Sequence, residues 1–135
     1  MKLPTDFQIL NYIYSHYYEP FSAFDKDSPE RRTKIYIPID ISAISKRFGV
    51  DPDIVFGRLY YHLEEKLSYK RSDGSNVHFF ILTDGSDRHC VNFPLLASIL
   101  AGMRQERRRD LWAIWIALTS IVISVFSIVV SLIRP

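Results

Sequence analysis

Residues 40–66, DISAISKRFGVDPDIVFGRLYYHLEEK, hold two helices back to back, and their reading decides the fold. Asp40 precedes the run ISAISKRF and is placed to accept a backbone N–H as an N-cap. Ile41, Ile44 and Phe48 share one face of that run. Gly49 stops it, because glycine adopts the left-handed conformation of a helix end without a steric penalty. Asp51 and Pro52 then start a second helix, since proline at the first helical position lacks only an N–H that would go unsatisfied there anyway. The spacing predicts a helix over 52–66. Its buried stripe is Phe56, Leu59, Tyr60 and Leu63, with Arg58, Tyr61 and Glu65 on the opposite face.

Upstream, Thr5 and Gln8 form a capping box. Phe7, Leu10, Tyr14 and Tyr17 follow at helical spacing, which predicts a helix over 6–18 closed by Pro20. Residues 19–33 read as a polar loop. KIYIPID (34–40) reads as a short strand that Pro38 confines to an edge or an end. Downstream, LSYKR and VHFFIL are strand-like runs around the turn SDGSN. TDGSD (83–87) is a second turn, RHCVNF follows, and RHC (88–90) is expected at a strand edge.

The stretch 40–80 resembles a bacterial winged helix-turn-helix domain: a short helix, a GV turn, a second helix ending in LEEK, and a β-hairpin wing. Ile41, Ile44, Phe48, Gly49, Val50 and Leu63 stand where that family's core pattern requires them. The glycine usual after LEEK is absent, and Leu67 follows at once. With the first helix and strand, the resemblance implies a head over residues 1–93. Its fold class is α+β, three helices plus a hairpin wing. It also implies a binding surface. The second helix of the motif, with Asp53, Arg58, Tyr61 and His62, would enter a major groove, and Arg58 would read a guanine edge. Lys46 and Arg47 would lie near phosphates, and Lys70, Arg71, Ser72, Ser75 and Asn76 would form the wing. Many winged helices bind proteins instead, so the implied ligand is DNA or a protein partner.

Beyond the head the solvent changes. Residues 111–133 carry no charge, and at ~1.5 Å per residue 23 residues cover about 34 Å, enough for a hydrocarbon core of roughly 30 Å. Residues 94–110 are expected to form a basic juxtamembrane helix continuous with that span, begun by Pro94. Arg104, Arg107, Arg108 and Arg109 flank the N-terminal end, and Trp112 and Trp115 sit where aromatic rings favour a lipid–water interface. Only Arg134 lies beyond the other end. That imbalance predicts a single-pass protein of the bacterial inner membrane with its N-terminus in the cytoplasm, the arginines touching anionic headgroups. The leading stretch MKLPTDFQIL has no apolar core of a signal peptide.

Ala113, Ala117, Ser120, Ser124, Ser127 and Ser131 are spaced 4, 3, 4, 3, 4. This period puts all six on one seam, and small side chains let helices approach closely in lipid. The seam predicts a parallel homo-oligomer. Leu96, Ile99, Met103, Glu106 and Asp110 continue it backwards at the same spacing, placing two acids where partner arginines would have to answer them.

Charge and chemistry narrow the function. Residues 1–88 hold 12 Lys/Arg against 13 Asp/Glu, so the net +2 comes from the junction and not from the head. A single cysteine, Cys90, makes no internal disulfide and fits a reducing compartment. His16, His62, His78 and His89 lack ligand spacing, so neither a metal nor another cofactor is expected. The chain has no phosphate loop, metalloprotease helix or nucleophile elbow, and no enzyme is expected. Glu64 and Glu65, adjacent on a helix, point about 100° apart and read as solvated surface. The expected function is a membrane-anchored regulator or sensor whose head binds DNA or a protein. The alternatives are a membrane-active effector of the toxin or antiviral-defence kind and a scaffold subunit.

Overall fold

Helix starts follow the capping chemistry of the sequence. In the computed structural model, which describes residues 2–134, Thr5 and Gln8 close a reciprocal box (Gln8 N–H to Thr5 Oγ1 3.2 Å, Thr5 N–H to Gln8 Oε1 2.9 Å) and open α1 (Asp6–Ser22). β1 (Tyr36–Pro38) follows a long loop. Asp40 accepts the Ala43 N–H at 3.0 Å and opens α2 (Ile41–Phe48), which Gly49 ends at φ 65°. Asp51 accepts the Asp53 N–H at 2.8 Å and opens a composite helix over 52–67. This comprises α3 (Pro52–Gly57), a π-helical segment (Arg58–Leu63) and α4 (Glu64–Leu67). Then come β2 (Tyr69–Lys70), β3 (Asn76–Val77), β4 (Phe80–Asp84), β5 (Asp87–Asn92) and α5 (Phe93–Ile133). Asn92 caps α5 by accepting the Leu95 N–H at 3.2 Å.

The result is a mixed helix-and-sheet fold with two small antiparallel sheets. One has the order β1-β5-β4, with Ile37 opposite Val91 and Ile81 opposite Cys90. The other pairs only β2 with β3. Pro38 lies on an edge strand, as its missing N–H requires. The chain divides into two compact units, Met1–Leu100 and Ala101–Pro135. The first encloses a core drawn from α1 (Ile9, Leu10, Ile13), α2 (Ile44), the composite helix (Val55, Leu59, Leu63), the sheet (Phe80, Val91) and the start of α5 (Phe93, Leu96, Leu100).

Several expectations change. Pro20 does not close the first helix but sits inside its last turn, and α1 runs on to Ser22. The carbonyl that proline leaves unbonded belongs to His16, which is exposed and can turn to water. The stripe of the composite helix is Val55, Leu59 and Leu63, while Phe56 is half-buried and Tyr60 is 37% exposed. The cause is the π segment, where the Glu64 N–H bonds Leu59 O, five residues back. Its wider turn brings residues spaced by four into line, whereas an α-helix would let them drift around its axis.

VHFFIL is not one strand. It breaks between β3 and β4, so the hairpin around SDGSN is only two residue pairs long and the longer hairpin is β4–β5 around Gly85 and Ser86. RHC is not at an edge, since β5 is the central strand, with His89 at φ 55°. The first unit reaches Leu100, past the boundary expected at 93, and Leu96, expected on the intermolecular seam, is fully buried inside that unit.

The second unit is one exposed helix. α5 is long and apolar enough to cross a membrane, and none of its apolar window is buried.

Replacing Leu59 with alanine removes a fully buried side chain from the centre of the composite helix. Urea unfolding of the full-length protein in detergent should show a loss of about 2–5 kcal/mol, against less than about 0.5 kcal/mol for Tyr61→Phe, which alters an exposed position.

Candidate functional site: the flanks of the composite helix

The inner flank is built on Asp6, in the first turn of α1. Arg58 donates to Asp6 Oδ1 through Nε at 2.7 Å and approaches the same oxygen through Nη2 at 2.7 Å. His62 Nε2 lies 3.2 Å and Lys66 Nζ 3.5 Å from Asp6 Oδ2. Three basic side chains at spacing four thus converge on one carboxylate, the same alignment by which the π segment orders the buried stripe. Burial works against ionising Asp6. The hydrogen bonds and charges of Arg58 and His62 outweigh it and hold the carboxyl below its ordinary value.

A second carboxylate organises the other end. Glu64 Oε2 accepts the N–H groups of Phe79 (2.8 Å) and Phe80 (2.7 Å), and Glu64 Oε1 lies 2.6 Å from His78 Nδ1. Glu64 was expected on the solvated surface; it is instead half-buried and fixes the break between β3 and β4.

The outer flank is apolar and aromatic. Ile54 is 40%, Tyr61 73% and Leu82 of β4 44% exposed. Tyr60 and Tyr61 pack edge to face at 5.0 Å, and Phe56 stacks on Tyr60 at 5.5 Å. Tyr60, Tyr61, Glu65 and Leu82 line a groove between the helix and β4.

The residues expected to bind a ligand therefore separate into groups. Arg58 and His62 come together, but on Asp6. Asp53 lies in the first turn of α3, its N–H donating to the Asp51 cap, and Tyr61 faces outward. Lys46 and Arg47 are exposed in the last turn of α2, Arg47 lying over the Phe48 ring at 6.0 Å. Lys70, Arg71 and Asn76 are exposed on the β2–β3 hairpin, whose turn is held by Asp73 accepting the Ser75 N–H (2.9 Å) and Oγ–H (2.6 Å). Ser72 is exposed in the same turn. The tip of the longer hairpin is acidic: Asp84 and Asp87 flank it, and Asp84 accepts from Thr33 Oγ1 at 3.2 Å and meets Arg32 at 3.5 Å. Asp6 and Lys66 were not singled out from the sequence, and Glu64 and His78 were read there only as solvated surface and as a histidine without ligand spacing. The spacing of four between Arg58, His62 and Lys66 is the one local signal that could have marked a shared partner such as Asp6.

In the second unit, Arg104, Arg107, Arg108, Arg109, Trp112 and Trp115 are all exposed, as are the six seam residues. Ser120 donates to Ile116 O (2.9 Å), Ser124 to Ser120 O (2.8 Å) and Ser131 to Ile128 O (2.7 Å). These hydroxyl protons are satisfied within the helix.

Cys90 is fully buried, and burial, with Asp87 and Asp84 nearby, pushes its thiol up to about 11. Among the described residues no group of three or more His, Cys, Asp or Glu is placed to hold a metal ion. Comparison with known protein families, with characterised proteins and with solved structures finds no match.

Asp6→Asn should destabilise the protein by about 1–2 kcal/mol at neutral pH, a charge-assisted contact discounted for the partial exposure of its partners. A carboxyl with its folded pKa below the unfolded 3.8 stabilises the fold above that value and loses the contribution as pH falls through the folded pKa. The stability gap between wild type and Asp6→Asn should therefore shrink below about pH 4, read by chemical denaturation across a pH series.

Proposed function

We propose that this protein is a membrane-anchored winged-helix adaptor: its head lies in the cytoplasm and docks a protein partner, and its span associates in parallel with a second copy. The winged-helix reading is supported by the order α1, β1, α2, composite helix, β4, β5, with β1 adding to β5. In that reading the wing is the β4–β5 hairpin and not the shorter one around SDGSN. The cytoplasmic placement rests on the four arginines before the span against Arg134 after it.

The observation that carries a protein partner rather than DNA is the commitment of Arg58 and His62 to Asp6. What the composite helix turns outward is Ile54, Tyr61 and Glu65, and the wing tip carries Asp84 and Asp87. DNA affinity comes largely from neutralised phosphates, and this face offers few cations. Exposed aromatics in a groove are the usual anchors of a protein interface.

Capture of the full-length protein from gentle detergent, with bound protein and nucleic acid both identified, tests this. A protein partner should be retained by wild type and reduced at least about tenfold by Tyr61→Ala. Retention of DNA that survives Tyr61→Ala and is lost with Lys70→Ala and Arg71→Ala would reverse the assignment.

Association of the spans is supported by the seam, and because the hydroxyls of Ser120, Ser124 and Ser131 donate within their own helix, packing is the attractive term in this reading. Ser124→Leu with Ser127→Leu should abolish a membrane two-hybrid signal. Ser124→Ala with Ser127→Ala should preserve it, because small size is kept. Equal signals from all three would identify the span as an anchor only.

A further inference from the structure

Resting on the reading of α5 as a membrane span, we propose that Arg108, Trp112 and Trp115 form a binding site for one anionic phospholipid on the face of α5 away from the seam. Arg108, Leu111, Trp112, Trp115, Ile116 and Thr119 line one shallow groove. Their spacing of i, i+3, i+4, i+7, i+8 and i+11 places all six on a single helix face. Trp112 and Trp115 are 68% and 66% exposed.

The groove is graded along its length in the way a phospholipid is. Its mouth is a guanidinium, whose planar fork matches a phosphate diester. Two indoles come next, with apolar bodies and a single N–H each. Its far end is apolar, and the Thr119 hydroxyl there donates to carbonyls of its own helix (Ile116 O, 2.8 Å), so it presents no unsatisfied donor to an acyl chain. From Arg108 to Trp115 the helix rises about 10 Å, which sets the guanidinium at headgroup depth when the uncharged span begins at Leu111.

Arg108 is also the basic residue suited to the role. Arg104 and Arg107 already have interactions of their own. Arg108 is in none of the ion pairs among the described residues. The seam of Ala113, Ala117 and Ser120 lies about a third of a turn away, so a lipid on one face and a second helix on the other do not compete.

Trp112 and Trp115 are the protein's two tryptophans, so indole fluorescence reports on this face directly. The full-length protein is reconstituted in phosphatidylcholine vesicles carrying a minor fraction of either brominated phosphatidylglycerol or brominated phosphatidylcholine. The anionic quencher should act at lower mole fraction, and Arg108→Gln should lower that preference about fivefold. Arg108→Gln combined with Asp110→Asn restores the wild-type net charge but not the site, and its preference should stay low. Recovery in that double variant would overturn the site in favour of bulk charge. Inorganic phosphate at matched ionic strength should leave the preference intact, and displacement by it would mean a site for free phosphate. Equal quenching by the two lipids overturns the site while leaving the span in the membrane. Quenching by neither overturns the membrane reading itself.

Discussion

The Glu64 carboxylate is the constraint on which the head is organised. It accepts two consecutive backbone N–H groups, those of Phe79 and Phe80, and pairs with His78. Both phenylalanines have side chains in the core, so their N–H groups are shielded from water and need an acceptor. A strand partner would have supplied carbonyls, but here one helix supplies both lone pairs from a single side chain. The end of the composite helix is thereby tied to the first residue of β4, and the depth at which the sheet meets the helix is set. The separation of β2–β3 from the larger sheet follows, because the chain turns at the carboxylate instead of running straight on.

What was legible in the sequence was local. Thr5, Asp40, Gly49, Asp51 and Pro52 each decide a helix end through atoms within three residues of themselves, and each stands where it was expected. The uncharged run 111–133 was legible for the same reason, as length and composition suffice to mark it. What escaped was long-range or depended on an unusual backbone. Nothing near Glu64 announces that residues 14 to 16 positions on will supply its donors. Asp6 and Arg58 lie 52 residues apart. The π segment shifted the buried stripe by a residue at one end, so a template of α-helical spacing chose Phe56 and Tyr60 where Val55 belongs. The two hairpins carry equally good turn residues in SDGSN and TDGSD, and only the pairing of β1 with β5 decides which one completes the larger sheet.

Electrostatics divides the molecule in two. In the head, several cations are consumed by internal partners: Arg58 and Lys66 by Asp6, Arg32 by Asp84, and Arg31 by the carbonyls of Pro20, Thr33 and Lys34 and the ring of Phe24. These contacts close the loop after α1 and hold α1 against the composite helix. A head so wired presents little positive potential of its own, and the chain's basic excess is concentrated at the start of the apolar span.

Cys90 lies in the central strand, fully buried, with its thiol shifted far above neutrality. It is the chain's one sulfhydryl, and thiolate is the form that alkylates and exchanges. Maleimides and disulfide reagents should therefore leave the folded protein unlabelled. A cysteine introduced at any surface position becomes the sole reactive sulfur, so spin labels, fluorophores and zero-length cross-links can be read without first removing a background residue from the core.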